Sequence, residues 1–171
     1  MSFFKTGTWY LLRNMGFVSA SMFAGDWVCQ KILHPNEPWN KRQSINLGIT
    51  GFFVTGPMNH GVFLLLEKMF AGTSARAIVY KMLGSCVLAA PQMSITFSSV
   101  VLLNGGGWED MKKKVKQDIP ETWVAGNVFW VPINFIQYKF TPLYYRATVG
   151  GVCGTFWNIY LAKQSAKPIK E

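Results

Sequence analysis

The sequence predicts an all-α integral membrane protein: a bundle of about four transmembrane helices with a short amphipathic surface helix before the last one. Three observations lead to this prediction. Only 15% of the 171 residues are charged, whereas an average soluble domain has about 25%. Long stretches contain no Asp, Glu, Lys or Arg. The 17 basic residues outnumber the 8 acidic ones and cluster at the ends of these stretches, where basic side chains reach lipid headgroups.

Four apolar regions follow one another along the chain. The first, residues 14–30, is interrupted only by Asp26. The second and third, residues 43–66 and 82–108, contain no charged residue and exceed the roughly 20 residues that cross a bilayer core as a helix. The fourth combines two shorter runs, residues 122–138 and 147–162, which we count as one pass. Since no linker separates these regions, we expect residues 1–171 to form one membrane-embedded domain.

The segment 108–121 predicts the surface helix. Its apolar residues recur at helical spacing: Trp108, Met111, Val115 and Ile119. This pattern, surrounded by lysines, is typical of a helix in the membrane interface, and the alternative is a solvated basic loop. Three lysines are expected to contact anionic headgroups, such as those of cardiolipin: Lys112, Lys113 and Lys116.

Several functional classes are excluded by composition and motifs. The three cysteines lie singly in apolar regions without a CxxC spacing, so neither a disulfide framework nor a zinc site is expected. The two histidines belong to no HExxH motif, and no GxSxG or P-loop motif is present. We therefore expect no enzyme, no metal and no cofactor. The basic residues lie at the ends of spans, which argues against nucleic-acid binding.

Asp26 is the only acid in the first region. An ionised carboxyl group there costs about 2.5–3.5 kcal/mol on insertion scales, so it must face a polar group. Gln30 lies one turn further on, on the same helical face. Asp26 either lines a water-filled path, or pairs with a basic or amide group of another span, with Arg146 as first choice, or makes a structural hydrogen bond.

Gly56 and Pro57 predict a helix kink in the second span, because proline interrupts the backbone ladder. Two further prolines, Pro132 and Pro142, predict kinks near the C-terminal runs. His60 follows the Gly-Pro pair. It is either a structural residue beside the kink or a ligand or proton relay.

Polar landmarks recur through most of the chain. They are Gly25-Asp26 followed by Gln30, then Arg42, Gly56-Pro57, His60, Lys81 and Pro91, and finally Asp118, Pro120, Asn127, Trp130, Pro132, Pro142, Tyr145-Arg146 and Trp157-Asn158. In this order they resemble the Mpv-seventeen and peroxisomal membrane protein family. The chain departs from the family pattern at Ser85-Cys86, where the family has Asp-Gln, and at Trp130-Val131-Pro132, where the family has adjacent Trp-Pro.

The resemblance implies a four-span protein of the mitochondrial inner membrane, with the peroxisomal membrane as the alternative. It implies a protein that forms or modulates a pore for small solutes and supports mitochondrial homeostasis. The alternative function is a structural accessory subunit of a large inner-membrane complex, such as a respiratory complex or ATP synthase. The expected partners are membrane lipids and either other membrane subunits or further copies of the chain. Six polar side chains are expected to line the pore or the bundle interior: Asp26, Gln30, His60, Asn134, Gln137 and Arg146.

Overall fold

The apolar regions form helices, which satisfy every backbone hydrogen bond within one segment and therefore suit a lipid environment. The computed structural model describes residues 2–33, 35–141 and 143–169, without the side chains of residues 2–8, 10, 33 and 143–148. Its α-helices are α1 (Ser2–Leu33), α2 (Lys41–Thr50), α3 (Gly56–Met69), α4 (Ala75–Leu103), α5 (Trp108–Phe140) and α6 (Leu143–Ala166). The described residues contain no strand, which confirms the all-α prediction.

A π-helical turn, Gly51–Thr55, joins α2 directly to α3. The N–H of Gly56 donates to the carbonyl of Gly51, five residues earlier. Pro57, the next residue, has no N–H to continue the α-helical ladder. The predicted interruption at Gly56-Pro57 therefore takes the form of a π-helical turn, and α2 and α3 act as one rod.

Local sequence signals fix the ends of the rods. The Asn40 side chain caps α2 by accepting from the N–H of Gln43 at 3.2 Å, and Ser74 caps α4 in the same way through the N–H of Ala77. These caps satisfy donors that the first helical turn leaves unpaired. Gly105 follows α4 with a φ of +90°, a conformation that glycine adopts without steric cost.

The bundle consists of five rods, namely α1, the joined α2–α3, α4, α5 and α6, which form a closed circuit of neighbours. Each rod packs against the next one along the chain, and α6 returns to pack against α1. Successive rods are antiparallel, whereas α1 and α6 are parallel. Phe17 lies against Gly151, Ser21 lies 3.2 Å from Thr155, and Gly25 lies against Asn158, so the contacts advance in the same direction along both helices. We call the end where α1 stops and α2 starts the Asp26 end. The opposite end, where α3 gives way to α4, is the Lys81 end.

Two glycines permit close helix contacts. A Cβ atom at Gly25 would lie 2.9 Å from backbone and side-chain atoms of Asn158, and one at Gly56 would lie 2.9 Å from Met15 Cα. Both distances are shorter than a real Cβ tolerates. Small residues of this kind let membrane helices approach closely and gain packing contacts, so α1 is held tightly between α6 and the α2–α3 rod.

The fourth apolar region differs from the prediction. We expected one pass with a separate surface helix before it, but the region forms two antiparallel helices, α5 and α6. The segment 108–121 is the first part of the continuous helix α5, and Pro120 lies inside it. The separate amphipathic surface helix was therefore a wrong prediction.

Two helical stretches among the described residues are long and apolar enough to cross a membrane: Lys41–Met69 and Ala75–Leu103. They correspond to the second and third predicted passes. Length and composition thus support two of the four predicted spans.

Candidate functional site

Asp26, in the second half of α1, is fully buried, with 0% of its surface exposed. Its carboxyl group accepts hydrogen bonds from Gln30 Nε2 at 2.6 Å, Gln43 Nε2 at 2.7 Å and Ser44 Oγ at 2.6 Å. Gln30 lies on α1, whereas Gln43 and Ser44 lie on α2. All three donors are neutral, so within the described side chains the buried acid is satisfied by uncharged hydrogen-bond donors.

Gln30 extends this network to the connection between α1 and α2. Its Oε1 accepts from the N–H of Asn40 at 2.8 Å, and its Nε2 lies 3.2 Å from the Asn40 carbonyl. Trp39 Nε1 donates to Ser44 Oγ at 2.9 Å. These bonds fix the register in which α2 packs against α1. The Gln30 bonds join α1 to the residue that caps α2, and the Trp39 bond joins the connection to α2 itself.

A cavity of about 350 Å³ opens beside this network, between the ends of α2, α4 and α6. The residues that line it are Asn40, Arg42, Gln43, Val100, Asn104, Ser165 and Ala166. Five of these carry polar side chains. Gln43 belongs to both features, since its amide bonds Asp26 and also lines the cavity.

Apolar side chains fill the bundle next to the cavity. Val100, which lines the cavity, packs with Met22, Cys29, Leu47 and Ala162 in one buried cluster. A second cluster contains Phe97, Trp157 and Leu161. A polar solute in the cavity therefore faces packed hydrocarbon toward the bundle interior.

A second buried acid lies at the start of α5. Asp118 Oδ2 is 2.8 Å from Lys114 Nζ, and both side chains are at most 3% exposed. Lys114 also donates to the carbonyls of Gln164 and Lys167, at 3.0 and 2.6 Å. A buried cation thus bridges α5 to the C-terminal end of α6, where helix carbonyls lack partners and favour positive charge.

The Lys81 end has a similar bridge. Lys81 is 2% exposed and donates to Glu67 Oε2 at 2.6 Å and to the carbonyl of Gly72 at 2.9 Å. Its amine also lies 5.8 Å from the centre of the Tyr138 ring. The lysine joins α4 to the end of α3 and to the connection between them.

Gln137 and Asn134, predicted for the bundle interior, lie away from the Asp26 network. Gln137 is 3% exposed and lies against Gly150, where α5 meets α6, while Asn134 on α5 and His60 on α3 are half-buried. The side chain of Arg146 lies outside the described residues, so its predicted pairing with Asp26 stays a prediction. Pro132 lies inside α5, which continues to Phe140, and Pro142 is outside the described residues.

The three lysines predicted to contact lipid headgroups, Lys112, Lys113 and Lys116, are all exposed. The buried positions of α5 in the segment 108–121 are polar, Lys114 and Asp118, as is Thr122 directly after it. Trp108, expected on the embedded face, is 67% exposed. The exposed surface of Trp108 is available to lipid, as a membrane-embedded face requires, so the lipid contact of this segment stays a prediction.

Sequence reasoning missed the α2 residues of the Asp26 network and the bridge that Lys114 makes between α5 and α6. Residues 40 and 44 oppose residues 30 and 26 when α1 and α2 pair as an antiparallel hairpin, which is the signal that could have identified Asn40 and Ser44. The spacing of four between Lys114 and Asp118 permits an ion pair on one helical face. Among the described residues, no group of three or more His, Cys, Asp or Glu side chains is placed to hold a metal ion.

Comparisons with known proteins identify relatives along most of the chain. A family profile described as the Mpv17 / PMP22 family matches residues 101–162. The Dictyostelium discoideum protein named PXMP2/4 family protein 4 is 30% identical over 132 residues, which cover 77% of this chain and 71% of that protein. No solved structure matches the chain.

Two further relatives are named for their membranes. The Danio rerio mitochondrial inner membrane protein Mpv17 is 27% identical over 146 residues, covering 84% of this chain and 82% of that protein. The Bos taurus peroxisomal membrane protein 2 is 27% identical over 148 residues, covering 81% and 74%. These names confirm the predicted localisation, the mitochondrial inner membrane with the peroxisomal membrane as the alternative.

Proposed function

Because this chain belongs to the Mpv17 / PMP22 family of membrane proteins, we propose that it is a non-enzymatic protein of the mitochondrial inner membrane that forms or modulates a pore for small solutes. The observation that carries the proposal is the polar cavity of about 350 Å³ at the Asp26 end. Ligand pockets measure about 300–1,000 Å³, so this cavity suits a small solute. The adjacent apolar clusters act as the closed gate of the path.

The proposal places all four apolar regions in the bilayer, with the fourth contributing both α5 and α6. The outward surface of the bundle supports this placement. Every rod carries large apolar side chains with more than two-fifths of their surface exposed, among them Phe17, Phe53, Val87, Val128 and Phe156. Exposed apolar patches of this kind mark contact with a membrane or another protein.

The test is solute flux into liposomes that contain the purified protein. We expect osmotic swelling with small polar solutes to exceed that of empty vesicles. Ser165→Trp should reduce it, because Ser165 lines the cavity and an indole fills that space. Leu102→Trp is the matched control, since Leu102 is 61% exposed on the neighbouring helix and does not line the cavity.

Swelling that never exceeds the empty vesicles would show that the pure protein is not a pore. Equal swelling in the two tryptophan variants would show that solutes do not pass through this cavity.

Anionic lipids are the proposed partners of the exposed face of α5. Each lysine near a negatively charged surface contributes about 1 kcal/mol of attraction. Repeating the flux assay in vesicles with and without cardiolipin tests this partner. We expect cardiolipin to change the flux of the native chain but not that of a variant with Gln at positions 112, 113 and 116. The same response in both proteins would argue against a headgroup site.

The second candidate function is that of a structural accessory subunit of a large inner-membrane complex. The observation that favours it is the filling of the bundle by Phe97, Trp157 and Leu161, which leaves a packed core where a permanently open pore would need water. A native gel after gentle solubilisation separates the two functions. Migration only as free monomer or homo-oligomer would exclude the subunit role.

A further inference from the structure

We infer that the cavity at the Asp26 end binds small anions that carry a carboxylate or phosphate group, and that Arg42 determines this preference. The transport consequence of the inference rests on the proposed pore function. The binding consequence does not, because a ligand can occupy the cavity whether or not it passes through the membrane.

The charge of the cavity is the first support. Of the described residues that line it, Arg42 alone is charged. No carboxyl group within the described part of the chain lies at ion-pair distance from the Arg42 guanidinium. A guanidinium that no described carboxylate pairs with offers a planar set of donors that matches a carboxylate or a phosphate.

The start of α2 adds to the same field. Arg42 is the second residue of this helix, and Asn40 is its cap, so the positive end of the α2 dipole lies at the cavity wall. The C-terminal ends of α4 and α6 lie at the same wall and carry the opposite partial charge, so the full charge of Arg42 decides the sign of the field. Asp26 is nearby through Gln43, but its carboxyl group is already occupied by three donors. The acid therefore orients Gln43 and does not pair with the arginine.

The two asparagines of the wall present donors. Asn104 Oδ1 accepts from Asn46 Nδ2 at 2.7 Å, and Asn40 Oδ1 accepts from the Gln43 N–H at 3.2 Å. Because both carbonyl oxygens are used inside the protein, each side chain keeps its NH₂ group for a ligand. Gln43 is the exception, since its amide nitrogen donates to Asp26 and its oxygen is left to accept.

These groups together favour an anion over a cation. A guanidinium, two carboxamide NH₂ groups and the Ser165 hydroxyl can donate to a carboxylate or phosphate, whereas the Gln43 oxygen and the same hydroxyl are the acceptors for a cation. Val100 and Ala166 supply the apolar part of the wall. The cavity therefore fits a small organic acid or inorganic phosphate.

The test compares Arg42→Gln with Lys41→Gln. Both changes remove one positive charge at adjacent positions, but Lys41 does not line the cavity and lies over the Trp39 ring, at 5.7 Å from its centre. Arg42→Lys keeps the charge and serves as the conservative rescue. Folding of each variant is checked by its elution volume and its melting temperature in detergent.

The first measurement uses inorganic phosphate as the probe. Isothermal titration of the purified protein should show binding that weakens about tenfold or more in Arg42→Gln, which is the loss expected for a hydrogen bond to a charged group. Binding should persist in Lys41→Gln and largely return in Arg42→Lys. Absence of phosphate binding, or equal weakening in Arg42→Gln and Lys41→Gln, would overturn the inference.

The second measurement is the reversal potential of the reconstituted protein in a KCl gradient. An anion-selective current that loses its selectivity in Arg42→Gln, but not in Lys41→Gln, supports both the pore and the inference. An anion selectivity that is unchanged in Arg42→Gln would support the pore function but contradict the role of Arg42. Absence of current removes the pore function, and the phosphate titration then decides the inference alone.

Discussion

Asp26 and Asp118 are both buried toward the same end of the bundle, but their partners differ in charge. Asp26 is surrounded by the amides of Gln30 and Gln43 and the hydroxyl of Ser44. Asp118 faces the amine of Lys114. The first acid depends on a set of replaceable hydrogen bonds, whereas the second depends on a single opposite charge. The two sites should therefore respond differently to the same chemical change, the replacement of Asp by Asn.

Asp118→Asn should have the largest effect on stability. The change leaves the buried Lys114 ammonium without its counter-charge, and removing one partner of a buried ion pair costs about 3–5 kcal/mol. The free energy of unfolding in mixed detergent and SDS micelles measures this loss.

A double-mutant cycle with Lys114→Met sharpens the result. The double variant leaves no buried charge without a partner. Its loss of unfolding free energy should therefore be smaller than the sum of the two single losses by about 0.5–3 kcal/mol. Additive losses would mean that the two side chains do not stabilise one another.

Asp26→Asn should cost less, about 1 kcal/mol. The amide oxygen still accepts from one or two of the three donors, and no cation loses a partner in the described network. Asp26→Leu should cost more, about 1–3 kcal/mol, because it removes every acceptor. Melting temperatures of both variants, measured beside that of Asp118→Asn, test the order.

An Asp26→Asn loss as large as that of Asp118→Asn would show that a cation outside the described side chains, such as Arg146, pairs with Asp26. In that case a second change at Arg146 should restore part of the stability.

The smallest effect concerns Glu121, which precedes the apolar run 122–138 and is exposed. Hydrogen bonds from Lys167 and Gln164 lower the pKa of Glu121 below its ordinary value. The stabilisation is therefore complete above the ordinary pKa of a glutamate, about 4.3, and is lost as the pH falls through the lower pKa of the folded chain. Because the pair is exposed to solvent, the change should be slight.

The pH dependence of the melting temperature in the acid range measures this contribution. Glu121→Gln should flatten it. Glu109→Gln is the matched control, since the partner of Glu109 is Lys112 on the same helix and the bond joins no second helix. An acid-range slope unchanged by Glu121→Gln would contradict the prediction.

The sequence predicted the helical class and the shared face of Asp26 and Gln30, because both follow from local spacing. It did not predict Gln43 and Ser44 as partners, since their approach depends on the register of the α1–α2 hairpin, which is set by contacts distant in sequence. The cavity could not be predicted for the same reason, because three different helices contribute its walls.

The start of α5 misled the sequence analysis for a different reason. Its apolar residues have the spacing of an embedded face, and a lysine such as Lys114 is almost never fully buried unless it is paired. Besides Asp118 on the same helix, Lys114 has two partners 50 and 53 residues later in the chain, the carbonyls of Gln164 in α6 and of Lys167 just after it. The spacing of residues along the sequence does not indicate contacts over such a separation.

The parallel contact between α1 and α6 affects the order in which the chain can fold. Asn158 bonds Ser21 across 137 residues of sequence, so the first helix meets one of its two neighbours only after the last helix has been made. Contacts of such long separation form slowly, because the loop-closure entropy must be overcome before the contact is gained. Until then, α1 carries a face with Ser21 and Gly25 uncovered. A nascent chain truncated before α6 should therefore be the species that chaperones retain and proteases remove.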